Sequence, residues 1–211
     1  QVVMRLAIAI CSGRDWKPQF GLSVAGLTWN IASNGINGKK LEQFDLISLS
    51  NCSNLCNGRQ SVLDEAIRRD FTHLLFVDDD MTFPPDLLDH LAKHKVEVVA
   101  TNAAMKGPAN PGNSIGLDEE YLTGPRLQEV GRTGTGVMLL DLDAVKKVPA
   151  PHFELVYVPK LKRTVGEDYY FCIKLRKHGI RIFVDQDASR HIGHVGDCEY
   201  RLSDEVFQKK A

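Results

Sequence analysis

The sequence is poor in cysteine and has no cysteine pair with the spacing of a metal or redox motif. Its 211 residues include five cysteines, an odd number, and no two of them are separated by two residues. A disulfide framework and a zinc site are therefore both disfavoured. Such a composition fits a reducing compartment, and we expect a cytoplasmic protein.

The chain also lacks a long apolar run and an excess of charge of either sign. Its first apolar segment, residues 5–10, is too short for a signal peptide or a membrane span. Lysines and arginines number 26 against 27 acidic residues, so no basic surface indicates a nucleic-acid partner. We therefore predict no membrane span and no nucleic-acid binding. The sequence starts at Gln1 rather than at methionine, which is consistent with excision from a longer protein.

Segments with strand-like and helix-like patterns of apolar residues alternate along the chain. No internal repeat, low-complexity segment or linker interrupts them. This alternation predicts a single α/β domain over residues 1–211, with a mostly parallel central sheet flanked by helices. The predicted strands are 6–10, 44–50, 73–77, 96–100, 137–142 and 180–185, and the predicted helices are 20–31, 59–69, 86–94, 143–148 and 169–177. Residues 101–116 and 151–165 show no periodicity and are predicted as long loops, which often contribute to function.

Three consecutive aspartates, Asp78, Asp79 and Asp80, follow the apolar strand 73–77. Close like charges raise the pKa of a carboxyl group and cost free energy, and a divalent cation relieves that repulsion. The carboxyl end of a strand is also where open α/β sheets bind ligands. The cluster therefore indicates a Mg²⁺ or Mn²⁺ site with Asp80 as the favoured ligand. The alternative is a solvated turn whose acids cap the next helix.

Two further groups of polar residues stand at element ends. Glu167 and Asp168 begin a predicted helix, where the helix dipole favours an ionised carboxylate that can take a proton from a hydroxyl group. His191 and His194 follow the last predicted strand, and a neutral imidazole could complete the coordination of a metal. The alternatives are a helix cap for the acids and a structural role for the histidines.

Three other features are compatible with a phosphorylated or nucleotide ligand. The loop from Cys11 through Ser12 to Arg14 follows the first strand and combines small residues with a cation. Arg59 is expected at a helix N-terminus, where a cation is unfavourable unless it faces an anion. Gly134 and Gly136 flank a threonine before the strand 137–142 and would let a ligand or another backbone approach closely; a bulge is the alternative.

In this order, the motifs resemble those of a nucleotide-sugar glycosyltransferase with the GT-A fold. The resemblance rests on the Asp-Asp-Asp cluster, then Gly-Thr-Gly-Val-Met-Leu-Leu, then Gly-Glu-Asp-Tyr-Tyr-Phe-Cys-Ile-Lys-Leu-Arg, and finally His-Val-Gly. The resemblance spans residues 5–196. Within this group, the sequence is similar to the family-2-like enzymes, among them small viral and phage-type members. For a viral protein, the expected compartment is the host cytoplasm.

The resemblance also implies roles for single residues. Asp78 and Asp80 match the outer acids of the DXD motif, of which the last ligates Mn²⁺ or Mg²⁺ and an earlier one contacts the ribose. Asp168 matches the general base of inverting members, and His194 matches a histidine that joins the metal. The choices between Asp79 and Asp80 and between His191 and His194 stay open. The remaining matches, to regions around the uracil, the diphosphate and the donor sugar, are Cys11, Ser12, Arg14, Arg59, Gly134 and Gly136.

The predicted function is metal-dependent transfer of a hexosyl or deoxyhexosyl group from a UDP-sugar to the hydroxyl group of a glycan or another acceptor. Inversion is expected, with Asp168 as the base beside Glu167. One alternative is an aspartyl-phosphate phosphatase, because residues 78–82 also fit Asp-x-Asp-x-Thr with Asp78 as nucleophile. Another is a catalytically silent module that binds a nucleotide sugar.

Overall fold

The computed structural model describes residues 4–107, 111–159 and 162–208. The strands are β1 (Arg5–Cys11), β2 (Gln43–Leu49), β3 (His73–Asp78), β4 (Met81–Thr82), β5 (Val98–Ala100), β6 (Ile115–Gly116), β7 (Leu127–Arg132), β8 (Val137–Asp141), β9 (Val156–Val158), β10 (Arg163–Val165), β11 (Ile182–Asp185), β12 (Gly193–Val195) and β13 (Glu199–Tyr200). The helices are α1 (Pro18–Asn34), α2 (Leu55–Arg68), α3 (Leu87–Ala92), α4 (Leu142–Val145), α5 (Glu167–Lys177) and α6 (Gln186–Ser189), followed by a 3₁₀ turn, Asp204–Phe207.

A single eight-stranded sheet forms the centre, in the order β2-β1-β3-β8-β5-β11-β7-β6. The pairs β1–β2, β1–β3 and β5–β11 are parallel. β8 is antiparallel to both of its neighbours, and β7 is antiparallel to β11 and β6. Six strands therefore run in one direction and two run against them. The predicted α/β class with a mostly parallel sheet flanked by helices is confirmed.

The sheet is covered on both faces, as the apolar runs in its strands require. Along β1, Leu6, Ile8 and Ile10 belong to one buried cluster, which also contains residues of α1 and α3. The intervening Ala7, Ala9 and Cys11 belong to the other cluster, with residues of α2 and α5. Alternate side chains of a strand point to opposite faces, so a strand that is buried on both faces is apolar throughout.

The helix after β2 begins earlier than its sequence pattern predicts. Asn54 caps α2, because its side chain accepts a hydrogen bond from the backbone N–H of Asn57. The helix therefore starts at Leu55 rather than at 59, and Arg59 lies in its second turn. The prediction that Arg59 stands at the helix N-terminus is wrong.

Both predicted long loops contain short strands. In 151–165, β9 and β10 pair as an antiparallel hairpin, so the prediction of an irregular segment is wrong there. In 101–116, β6 joins the edge of the central sheet, and Ala104 forms an isolated bridge with Gly112. Residues 108–110 and 160–161 of these two predicted loops lie outside the described residues.

A small three-stranded sheet, β13-β12-β4, follows the acidic turn. β4 begins directly after Asp80 and pairs with β12, and the backbone N–H of Val195 donates to the carbonyl oxygen of Asp80 at 2.7 Å. Because β4 separates the aspartates from α3, the acids do not cap that helix. The alternative interpretation of the cluster as a helix cap is therefore wrong.

Among the helices of the described residues, none has the length and apolar character needed to cross a membrane.

Candidate active site

The acidic turn lies where central strands end. β1 and β3 are parallel, and their register pairs Cys11 with Asp78, so both strands end at the same edge of the sheet. β8 runs the other way and begins at this edge, because Val137 pairs with Val77. β5 also ends here, since it pairs antiparallel with β8. One edge of the sheet therefore gathers the segments that follow β1, β3 and β5 and the segment that precedes β8.

Asp80 and His194 come together at this edge. Nε2 of His194 lies 3.4 Å from Oδ2 of Asp80, and Nδ1 lies 2.8 Å from the carbonyl oxygen of Ala104. A carbonyl oxygen can only accept, so Nδ1 carries the proton and Nε2 faces the carboxylate. Burial lowers the pKa of His194, but the hydrogen bonds to Asp80 and Ala104 and the charge of Asp80 together outweigh burial and raise the pKa above its ordinary value.

Lys106 shares the same carboxylate oxygen. Its Nζ contacts Oδ2 of Asp80 at 2.5 Å. Burial raises the pKa of Asp80, but the hydrogen bonds with His194 and Lys106 outweigh burial and hold the pKa below its ordinary value. Asp80 is therefore ionised, and the ammonium group of Lys106 lies against its Oδ2 oxygen.

This arrangement is compatible with a divalent cation. A carboxylate oxygen suits Mg²⁺ and Mn²⁺, an imidazole nitrogen is a common metal ligand, and the ammonium of Lys106 marks a position where positive charge is favoured. No group of three or more His, Cys, Asp or Glu side chains in the described part of the chain could hold a metal ion. Two protein ligands are sufficient where phosphate oxygens and water complete the coordination, as is usual for Mg²⁺.

Arg59 is a buried cation that joins two acids of the site. The residue is 4% exposed. Its Nη2 donates to both carboxylate oxygens of Asp78, at 2.9 and 3.1 Å, and its Nη1 donates to Glu167. Burial lowers the pKa of Arg59, but the carboxylates of Asp78 and Glu167 outweigh burial and raise the pKa above its ordinary value. The anions that Arg59 meets here are protein carboxylates, and its contact with a donor phosphate stays a prediction.

Asp168 lies in the first turn of α5, in the wall of a pocket of about 390 Å³. Burial raises the pKa of Asp168 to about 6; Glu167 adds to the rise, and the guanidinium of Arg59 limits it. The same pocket is lined by Tyr169, Arg132 and other residues. A carboxyl group with this pKa next to a pocket has the properties of a general base that works near neutral pH.

Gly134 and Gly136 connect the two acidic regions. A Cβ built on Gly136 would lie 3.5 Å from Oδ2 of Asp78, and one on Gly134 would lie 3.5 Å from Oδ2 of Asp168. Only Thr135 lies between the two glycines, and the charge of Asp78 contributes to the raised pKa of Asp168, so the two acids lie near each other. A Cβ on Gly134 would also clash with Nδ2 of Asn113, so a larger residue at this position would require the Asn113 side chain to move. The close approach predicted at Gly134 and Gly136 is thus made by the side chains of Asp78, Asn113 and Asp168.

The loop after β1 contacts the acidic turn from its other side. The backbone N–H of Gly13 hydrogen-bonds to Asp79, and burial together with the neighbouring aspartates raises the pKa of Asp79 above its ordinary value. Cys11 is buried and belongs to the core cluster next to α2, whereas Arg14 is exposed. Burial raises the pKa of the Cys11 thiol to about 12.

Three buried hydroxyl groups at this edge have no hydrogen-bond partner among the described residues. They belong to Ser12, directly after β1, to Thr101, directly after β5, and to Thr135, between the two glycines, and each residue is 1% exposed. Buried polar groups are normally paired, so hydroxyl groups left over at this edge could serve a ligand or water.

The structure thus brings most of the predicted residues together. Asp80 and His194 approach each other, and Arg59 and the glycines link Asp78 to Glu167 and Asp168. His191, the other histidine left open, is exposed. Lys106, Asn113 and Arg132 also line this region and were not predicted from the sequence. The first two lie in the segment 101–116, whose length and lack of periodicity were the available signal.

The comparisons with known proteins yield matches in structure only. No protein-family profile matches the sequence, and no curated protein matches it. Among solved structures, A197 from STIV is 17% identical, with a TM-score of 0.62 and coverage of 99% of this chain and 96% of that one. The nucleoside-diphosphate-sugar pyrophosphorylase from Vibrio cholerae RC9 is 13% identical, with a TM-score of 0.51 and coverage of 88% and 93%.

A further match is GalNAc-T7, whose structure contains UDP, GalNAc and Mn²⁺. It is 10% identical, with a TM-score of 0.51, and the match covers 99% of this chain but 46% of that one. This chain thus spans less than half of the GalNAc-T7 structure. At identities this low the likenesses show the fold alone, and they confirm the predicted GT-A fold.

Proposed function

We propose that the protein transfers a hexosyl or deoxyhexosyl group from a UDP-sugar to an acceptor hydroxyl group, with inversion at the anomeric carbon. Asp168 takes the proton of the acceptor hydroxyl as that oxygen attacks the anomeric carbon, and UDP leaves with the bonding electrons. Asp80 and His194 hold Mn²⁺ or Mg²⁺. When bound, the cation neutralises the negative charge that develops on the diphosphate.

The observation that carries this proposal is the meeting of three groups of acids and bases that are far apart in the sequence. Arg59 hydrogen-bonds to Asp78 and to Glu167, and Asp168 follows in the same helix turn. Asp80 and His194 adjoin them through the acidic turn. A base beside a pocket and a cation site next to it are the two parts that displacement of a diphosphate from a sugar needs.

Arg59 acts on this chemistry through other residues. By pairing with Asp78 and Glu167 it fixes both carboxylates and supplies positive charge near Asp168. That charge keeps the pKa of Asp168 from rising further, so the carboxylate is available as a base at neutral pH. The donor contacts proposed for Ser12, Arg14, Asp78 and Asp79 belong to the same edge of the sheet.

The rate of transfer is expected to depend on the ionisation of Asp168. Because burial raises the pKa of this group to about 6, kcat/KM should rise with pH at a slope of about one below that value and level off above it. A pH profile from 4.5 to 8 measures this. The UDP affinity over the same pH range is the control. If the UDP affinity showed the same pH dependence, the titrating group would act in donor binding, and the pH profile would not report on Asp168 as the base.

Asp80→Asn is expected to remove the response of the protein to metal. In wild-type protein, UDP with Mn²⁺ should raise the melting temperature by more than UDP or Mn²⁺ alone, because ligands that bind the folded state stabilise it. In the variant, the addition of Mn²⁺ to UDP should have no further effect. The matched control is Asp143→Asn, at the far end of β8, which should respond as wild type. An unchanged response in Asp80→Asn would remove Asp80 from the metal site.

The two alternatives make different predictions. A phosphatase would form an acyl phosphate on Asp78, yet both oxygens of Asp78 already accept hydrogen bonds from Arg59, which does not favour this role. A silent module would bind UDP-sugars without turnover. A panel of UDP-sugars with Mn²⁺ and simple glycans, followed by detection of UDP, tests the proposal: UDP release supports transfer or hydrolysis of the donor, and binding without release supports the silent module.

A further inference from the structure

Lys106 places its ammonium group against the carboxylate that we assign to the metal. Nζ contacts Oδ2 of Asp80 at 2.5 Å, and Nε2 of His194 lies 3.4 Å from the same oxygen. A cation that is held by Asp80 and His194 would have to use the space that this ammonium takes. Lys106 and a metal ion therefore compete for one carboxylate oxygen.

The position of Lys106 is built into the fold. A Cβ on Gly196 would lie 3.3 Å from Cδ of Lys106 and 3.6 Å from its Cε, so the side-chain stem runs over the bare backbone of that glycine. The backbone is fixed on the N-terminal side, where Ala104 forms a bridge with Gly112 and its carbonyl oxygen meets His194. Ala104, whose carbonyl oxygen sets the orientation of His194, thus lies two residues before Lys106.

We propose that Lys106 is an internal competitor of the divalent cation and that it makes metal binding depend on the diphosphate. The inference rests on the proposed assignment of Asp80 and His194 as the ligands. When metal binds alone, the ammonium has to leave Asp80 and stays a few ångströms from a dication, with Asp79, on whose pKa Lys106 also acts, as the acid that remains near it. When metal binds together with a diphosphate, the displaced ammonium has phosphate oxygens to bind. Free metal is then held weakly, and metal with diphosphate is held tightly.

The test is a Mn²⁺ titration followed by the electron paramagnetic resonance signal of the free ion, with and without UDP. The variant is Lys106→Met, which keeps most of the stem and removes the charge. Without UDP, Lys106→Met should bind Mn²⁺ at least about tenfold more tightly than wild type, because a repulsive charge close to the ion is gone. The gain in Mn²⁺ affinity on addition of UDP should be smaller in the variant than in wild type.

Two controls make the result specific. Lys146→Met changes the net charge equally, but Lys146 pairs with Asp143 at the opposite end of β8, so it should leave the Mn²⁺ affinity at the wild-type value. In the double variant with Asp80→Asn and Lys106→Met, the increase in Mn²⁺ affinity caused by Lys106→Met should be lost. Equal Mn²⁺ affinity of Lys106→Met and wild type, or no Mn²⁺ binding by either protein, would overturn the inference.

This outcome is separable from that of the proposed function. Mn²⁺ affinity is measured without any donor sugar, so the expected shift in Lys106→Met would stand even if no glycosyl transfer were found. Conversely, transfer that needs no metal, combined with an unchanged Mn²⁺ affinity in the variant, would reject the competition and the proposed metal site and leave only the proposed sugar transfer in place.

Discussion

Replacing Asp168 with asparagine is expected to slow glycosyl transfer strongly and at the same time to stabilise the fold at neutral pH. The proposed base is lost, which should lower kcat by about 10²- to 10⁴-fold. The folded-state pKa of about 6 is above the ordinary value of 3.8. Ionisation of Asp168 therefore reduces the free energy of unfolding as the pH rises from about 4 to 6, and the whole cost persists above that range. The variant should gain about 1–3 kcal/mol at pH 7 and nothing at pH 4.

Urea unfolding at pH 4 and pH 7 and steady-state kinetics measure both effects in one preparation. Glu167→Gln is the matched control, because Glu167 precedes Asp168 in the helix but pairs with the buried Arg59. Loss of the Glu167 charge leaves Arg59 paired with Asp78 only, and this should destabilise the fold. Turnover at the wild-type rate in Asp168→Asn would reject Asp168 as the base, and equal stability at both pH values would reject the raised pKa.

Replacing Arg59 with methionine is expected to be the most damaging single change at this edge of the sheet. The variant leaves Asp78 and Glu167 partly buried and without their cation, close to a third acid, Asp168. Breaking a buried ion pair on one side commonly costs about 3–5 kcal/mol, and two pairs are broken here. The pKa of Asp168 should also rise further, so any transfer activity that remains should need a higher pH.

Urea unfolding at pH 7 and pH 5 measures the loss of stability, which should be smaller at pH 5, because Asp168, whose pKa burial raises to about 6, is then largely protonated and does not need the cation. Arg68→Met is the matched control in the same helix: Arg68 pairs with Glu65 on the exposed surface, and its loss should have no measurable effect. Wild-type stability of Arg59→Met would contradict the account of Arg59 as the cation that holds the acids together.

Much of this architecture could be predicted from the sequence because the signals were local. An apolar run, three aspartates and two prolines mark the end of β3 wherever the strand lies in the sheet. The direction of β8 could not be predicted in the same way. Its run from Val137 to Asp141 is buried on both faces, and such a strand has the same pattern whether it is parallel or antiparallel to its neighbours.

The start of α2 was missed because its first turn contains Gly58, which is unfavourable in a helix. A Cβ at this position would lie 2.2 Å from Sγ of Cys52, so close packing requires the glycine and outweighs its low helix propensity. With the helix placed too late, Arg59 was assigned to the N-terminus instead of to a buried turn that faces Asp78 and Glu167.

Lys106 was missed for a different reason. Its contact with Asp80 spans 26 residues and depends on the bridge that fixes Ala104 beside His194. No periodic pattern in the sequence reports such a contact. The apolar residues of the segment 101–116 show no helix or strand period, and this predicts only that the segment is a loop with a functional role.

We propose that Asp80, Asp168 and His194 line one cleft that holds a cation and a diphosphate. The most direct measurement is a crystal structure of the protein with UDP and Mn²⁺, with the metal located by its anomalous scattering. We expect a Mn²⁺ peak coordinated by Asp80 and His194, with the diphosphate on the same ion and the side chain of Asp168 facing the donor end of the nucleotide. A metal peak elsewhere, or UDP bound at another surface, would contradict this proposal.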